Sequence, residues 1–184
     1  MKQSKVYQMA LTAVIAAMYA AVSLALAPIS FGTVQLRAAE ALTLLPVFDP
    51  VMIAGVSLGC LITNAVGFFT GANILGWMDI LFGTLATVAA AFLSYWLRNL
   101  RVKGLPVLSA LPPVLLNAVI VGGELTFLIA GGFEWRVFAL QALSVGAGEL
   151  IACAALGLPL VWMLEKTGVT KKLFPCRKAR EASL

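Results

Sequence analysis

At 184 residues, 61% hydrophobic and only 11% charged, with a mean hydropathy of +0.99, the chain has length for about six apolar spans of ~20 residues and no room for a separate soluble domain. The absence of histidine excludes His-based metal sites, Ser-His-Asp and Cys-His catalysis and imidazole proton relays. The net charge of +5 arises from basic residues that flank apolar segments, so anionic lipid headgroups suit them better than nucleic acid does.

Six segments are predicted in chain order: Val6–Ala27, Arg37–Phe48, Pro50–Phe68, Trp77–Leu97, Pro106–Ala130 and Val137–Leu164. The first has Lys2 and Lys5 before it and Ala25-Leu26-Ala27 at its end, as a signal peptide has, but it is too long for a signal core and is expected to be a retained helix. The second is short: as an α-helix it spans about 18 Å and needs to tilt into a kinked pair with the third, with Asp49-Pro50 at the junction. The whole chain, 1–184, is expected to form one transmembrane domain, with a basic tail from about residue 165. Cys60, Cys153 and Cys176 have no disulfide or zinc spacing and are expected to be unpaired.

With the amino terminus placed in the cytoplasm, eleven of the thirteen basic residues fall on that side and only Arg37 and Arg136 fall outside. Both termini are then cytoplasmic. Trp77 and Trp135 land at the outer interface, Trp96 and Trp162 at the inner one, as an aromatic belt requires.

This orientation gives depth to the polar residues that break the apolar runs. Arg37 and Glu40 lie at the outer mouth, and Asp79 is one turn in. Asn64 and Gln141 are each about 6 Å from the outer end, Glu124 about 9 Å, Glu149 about 18 Å and Asn117 about 20 Å. Five helices thus bring polar groups to the outer half, while the inner half has almost none. A charge at mid-bilayer costs roughly 2.5–3.5 kcal/mol on insertion scales, so such groups must face protein, water or ligand. One reading takes them as caps and ion pairs: Asp79 suits a helix amino terminus, and Arg37 and Glu40, three apart, suit each other. The other takes them as the lining of a polar cavity open to the outside, whose carboxylates bind a donor-rich or cationic ligand. Glu124 and Glu149 favour the second, because neither has a basic residue near its depth in its own helix.

No P-loop sequence is present, so transport of a solute needs energy from elsewhere. No polar path continues to the cytoplasm, against a channel. Ala13, Ala16, Ala17, Ala20 and Ala21 make overlapping small-xxx-small pairs on the first helix, a face suited to close approach by a partner membrane protein. Gly55 and Gly59 form a GxxxG on the third, which ordinary internal packing explains.

Four stretches carry a resemblance across most of the chain: FGTVQLRAAEALT at 31–43, WMDILFGTLAT at 77–87, LPPVLLNA at 111–118 and VGAGEL at 145–150. Together they resemble the QueT family of substrate-binding (S) components of energy-coupling factor (ECF) transporters. Ala38-Ala39 stands where that family is expected to have Val-Ser. Asp49 and Glu124 lie outside these stretches, and the resemblance assigns them no role.

The resemblance implies an all-α integral membrane protein, a six-helix S-component-like bundle in the bacterial cell membrane. It implies capture of a queuosine precursor from outside, and uptake driven by a transmembrane coupling subunit and two ATPase subunits, with the alanine face of the first helix as the docking surface. It implies no cofactor and no catalysis by this chain. The ligand would be a 7-deazaguanine, in an aminomethyl or cyano form or as queuine. Two adjacent N–H donors on its ring edge suit a carboxylate, with Glu149 or Glu40 the expected one. Arg37, Asn64 or Asn117 would serve the carbonyl, Trp77 or Phe31 the ring face, and Gln35, Asp79, Glu124 and Gln141 complete the candidate set. Alternatives are another aromatic metabolite such as tryptophan, riboflavin or thiamine, an intramembrane enzyme, or a structural subunit with buried ion pairs.

Overall fold

The computed structural model describes residues 4–32 and 35–173. Among these the chain is helical, and its β-structure is a single bridge, Val102 to Leu105, in a tight turn where Lys103 and Gly104 take positive φ. Thr33 and Val34, and the basic end beyond Leu173 with Cys176, lie outside the described residues.

Five helical stretches are long and apolar enough to cross a membrane. Helix α1 is Lys5–Ala25, followed by the short α2, Ala27–Ser30. Helix α3 is Val51–Phe69, α4 is Trp77–Trp96 and α5 is Leu111–Ala130. The last stretch, Trp135–Lys166, consists of α6 (Trp135–Ile151), a π-helical turn (Ala152–Gly157) and α7 (Leu158–Lys166). Pro159 follows the π turn closely. It offers no amide hydrogen and crowds the carbonyl four residues back, which accounts for the widened ladder at that point. Helix α8, Val169–Leu173, stands where the sequence suggests an unstructured tail; the Tyr7 hydroxyl of α1 donates to its Leu173 carbonyl at 3.1 Å.

Local chemistry sets the ends. The Ser4 side chain caps α1 through the Tyr7 amide. Asp49 Oδ1 accepts from the Val51 amide at 2.9 Å, making the expected break before α3. Pro112 and Pro113 sit in the first turn of α5, where a missing amide hydrogen costs little.

The short second segment differs most from expectation. It is a 3₁₀ helix, Ala38–Val47, and every residue from Ala39 to Val47 is buried. At about 2.0 Å per residue its ten residues reach about 20 Å, short of the ~30 Å apolar core. It packs on α1, α3, α4, the π turn and α7. It is thus a buried post inside the bundle rather than a tilted half of a kinked pair with α3.

The five long stretches surround this post, each packed on its chain neighbour: α1 on α3, α3 on α4, α4 on α5, α5 on α6. Glycines allow the closest approaches. A Cβ on Gly55 would lie 2.9 Å from Ile15 Cβ, one on Gly59 2.6 Å from Tyr19 Cβ, and one on Gly122 2.9 Å from Ala142 Cα. Between α1, the 3₁₀ helix and α7–α8 lies an apolar cavity of about 400 Å³. Large apolar side chains cover the outside, including Phe69, Phe92, Leu115 and Leu143, as a lipid solvent demands. Trp77, Trp96, Trp135 and Trp162 are all exposed near the ends of the long stretches. Arg101 forms a two-pronged pair with Glu165 at 3.0 and 2.7 Å, joining the α4–α5 turn to α7.

The α1–α3 contact is testable. Gly59→Ala must push Tyr19 aside, and a forced overpacking of this kind costs about 1–3 kcal/mol. Gly123→Ala, where nothing lies within 4 Å, should be neutral or slightly stabilising. Thermal unfolding in detergent distinguishes them; equal melting temperatures would contradict the packing described.

Candidate ligand-binding site

The site begins where α2 ends. Residues 35–37 run extended before the 3₁₀ helix. The Leu36 amide bonds back to the Ile29 carbonyl at 3.1 Å, and Arg37 Nε points at the Ser30 carbonyl at 3.4 Å. Gly148 of α6 makes room for this strand-like stretch: any Cβ there would collide with the Gln35 carbonyl oxygen. The stretch therefore lies directly against α6.

Arg37 is 4% exposed and pairs with Asp79, which is fully buried in the first turn of α4. Arg37 does not pair with Glu40. It caps the helix with φ −88° and ψ 91°; its carbonyl accepts from the Glu40 amide at 2.9 Å, while its side chain turns to Asp79. Asp79 is a node. Its Oδ2 also accepts from Asn73 Nδ2 at 2.7 Å, and its backbone carbonyl accepts from Asn64 Nδ2 at 2.8 Å. Gly83, one turn on, leaves the space that Asp79 Oδ1 occupies. The Arg37 guanidinium also lies 5.6 Å from the centre of the Phe31 ring, and Phe31 and Asn73 close against Gly67 at the outer end of α3.

Glu40 projects from the first turn of the 3₁₀ helix and is fully buried. The Tyr19 hydroxyl of α1 donates to its Oε1. Glu149 of α6 lies within electrostatic reach of Glu40 and Arg37, with the Asn117 side chain of α5 against its carboxylate. Glu124, also on α5, is 6% exposed and senses Asp79 and Arg37. Asn117, Val121 and Glu124 recur at helical spacing and are all buried, so one face of α5 looks inward.

The side chains expected to meet do so in large part. Phe31, Gln35, Arg37, Glu40, Asn64, Asp79, Asn117, Glu124 and Glu149 are all buried, and the contacts above link them, Gln35 through the 35–37 stretch. They lie inside the bundle, each 6% exposed or less. Trp77 does not join them; it is 62% exposed, so of the two aromatic rings expected at the site only Phe31 is buried with the cluster. Gln141 is half-buried on α6, with its Oε1 shielded and without a partner. Asn64 spends its amide hydrogens on Asp79 and, at 3.4 Å, on Cys60 Sγ, so it offers an acceptor and no spare donor for a ligand carbonyl. Of the alanines, Ala16 and Ala20 are buried on the inner side of α1, while Ala13, Ala17 and Ala21 face outward.

Sequence reasoning missed Tyr19, Asn73, Gly83 and Gly148. Tyr19 is the only aromatic hydroxyl in the middle of α1, a signal that hydropathy alone conceals.

Charge and hydrogen bonding define what this arrangement does. Four buried carboxyl groups, Glu40, Asp79, Glu124 and Glu149, surround one buried guanidinium. Acceptors without a partner are Glu40 Oε2, Asn64 Oδ1, Asp79 Oδ1, both oxygens of Glu124 and Glu149 Oε2; against these six stand Gln35 Nε2 and the hydroxyls of Ser30 and Thr63 as possible donors. Buried polar atoms are otherwise almost always paired, so these oxygens leave several acceptor positions open to further donors. No metal-binding group of His, Cys, Asp and Glu occurs among the described residues.

The ion pair yields a prediction. Asp79→Ala leaves Arg37 buried without its partner, at a cost of about 3–5 kcal/mol. The double variant Arg37→Met/Asp79→Leu should lose less than Asp79→Ala alone. Thermal unfolding of both in detergent is the check, and a double variant less stable than the single would contradict the pairing.

Comparison with known proteins agrees with this architecture. The QueT transporter family matches residues 9–166. A stretch of 90 residues is 34% identical to the queuosine precursor transporter QueT of Lactococcus lactis subsp. cremoris (strain MG1363), covering 48% of this chain and 49% of that protein. The matched region thus spans about half the length of this curated relative. No solved structure matches the chain significantly. The extent of the family match and the lipid-suited helical bundle lead to one conclusion: this multi-pass protein of the bacterial cell membrane belongs to the QueT transporter family.

Proposed function

We propose that the chain binds a queuosine precursor of the 7-deazaguanine type from the outer side of the membrane and serves as the substrate-binding component of an ECF-type transporter. The observation that carries this reading is the surplus of buried acceptors over donors around Arg37. A 7-deazaguanine brings a ring N–H and an exocyclic amine side by side, plus one carbonyl. The aminomethyl form adds a cation, which offsets part of the negative charge that four carboxyl groups and one guanidinium leave in a low-dielectric setting. The cyano form has no such charge. Gln35 Nε2 and Arg37 are the donors available to the ring carbonyl, and Phe31 supplies an aromatic surface beside them.

A coupling subunit and two ATPase subunits would supply the energy that a chain without a P-loop cannot. The outward stripe Ala13, Ala17 and Ala21 is the docking surface this reading assigns to them, with Ala16 and Ala20 turned to internal packing. The chain itself catalyses nothing in this scheme.

The test is thermal shift and native mass spectrometry on the purified chain with deazaguanines, tryptophan, riboflavin and thiamine. Deazaguanines should bind without turnover and raise the melting temperature most, by mass action. Uptake into vesicles should require the coupling and ATPase subunits. Binding of tryptophan, riboflavin or thiamine in preference to deazaguanines would overturn the substrate; uptake by the chain alone would overturn the partnership.

A further inference from the structure

The four buried carboxylates are not equivalent, because the chain already uses some of their oxygens. Glu40 Oε1 accepts from Tyr19, leaving Oε2. Asp79 Oδ2 accepts from Arg37 and Asn73, leaving Oδ1. Glu149 has Asn117 against it and leaves Oε2. Glu124 alone among the buried carboxylates of the described residues has both oxygens shielded from solvent and without any partner. At 6% exposure it is nearly as buried as the others.

This difference has a chemical meaning. A carboxylate with one free oxygen takes a single donor. A carboxylate with two takes a parallel pair, as in fork-to-fork recognition of an amidine-like edge. We infer that Glu124 is the specificity-determining residue that receives the paired N–H donors of the ligand's pyrimidine edge, and that Glu40 and Glu149 face the opposite, substituted end. The inference rests on the deazaguanine reading proposed above. It differs from the sequence expectation, which placed the ring edge on Glu149 or Glu40.

The helix geometry supports this polarity. Asn117 and Glu124 are seven residues apart on the inward face of α5, about 10 Å along the axis. Asn117 marks the Glu149 end of that face, and Glu149 is within electrostatic reach of Glu40. Glu124 is within reach of the Arg37–Asp79 pair, which Glu40 also reaches and Glu149 reaches through Arg37. A flat bicyclic ligand with a donor pair at one end and a cation at the other matches two such groups of acceptors. The single free oxygens of Glu40 and Glu149 suit an ammonium, which takes separate acceptors from several directions.

The experiment compares ligands and variants by equilibrium titration. The ligands are 7-aminomethyl-7-deazaguanine and its analogue lacking the 2-amino group. The wild-type chain should bind the analogue about 100-fold more weakly, because one oxygen of Glu124 loses its donor. Glu124→Gln should weaken the parent ligand about 100-fold and the analogue far less, since the amide turns one acceptor into a donor. Glu124→Asp, which keeps the charge but withdraws it, should show the same ranking and covers the case in which the amide variant fails to fold. Equal losses for parent and analogue in the variants, or none, would overturn the assignment of Glu124 while leaving deazaguanine binding intact. Failure of the wild-type chain to bind the parent ligand at all would sink both this assignment and the proposed function.

Discussion

The pair between Arg37 and Asp79 is the contact on which the charged centre of the molecule depends. Both groups are removed from solvent, so their attraction is little screened. Through Asp79 the pair joins four separate pieces of chain: the extended stretch before the 3₁₀ helix, the outer end of α3 through Asn64, the α3–α4 loop through Asn73, and α4 itself. Phe31 is gathered in by the Arg37 guanidinium. A buried ion pair is seldom a net source of stability against an apolar alternative. Its use here is to fix position: it sets where Arg37 stops and which oxygen of Asp79 stays free.

The surroundings that make this possible are apolar and tightly spaced. Glycines at 55 and 59 bring α1 against α3, which places Tyr19 beside Glu40. Gly148 lets residues 35–37 lie on α6, and Gly157 lets the π turn approach Ala41 and Leu44 of the 3₁₀ helix. The bundle is therefore held by close backbone approach, as lipid-embedded helices must be when no water drives them together. The buried charged groups gather in one part of this frame, where contributions from α1, the 3₁₀ helix, α3, α4, α5 and α6 converge.

Much of this was legible in the sequence. The five long spans follow from apolar run length. Arg37, Glu40, Asp79, Glu124 and Glu149 stand out because charges are costly in such runs. The pairing among them was not legible. Arg37 and Glu40 have a spacing that suggests a mutual bridge, but Arg37 lies outside the helix and turns to Asp79, 42 residues on. The 3₁₀ form of Ala38–Val47 was hidden for another reason. A segment buried on every side has no polar face, so its hydrophobic pattern does not differ from that of a lipid-facing one. Trp77 has the composition of a ring-stacking residue and the position of an interface anchor; only the fold shows that the second prevails.

The acceptor-rich centre is the basis for the proposal of a ligand that arrives with donors and positive charge. The most direct measurement is the ratio of dissociation constants for the aminomethyl and cyano forms of 7-deazaguanine on the purified chain, by calorimetric titration. The account predicts that the aminomethyl form binds at least about tenfold more tightly, or roughly 1.4 kcal/mol. Equal affinity, or preference for the cyano form, would contradict it.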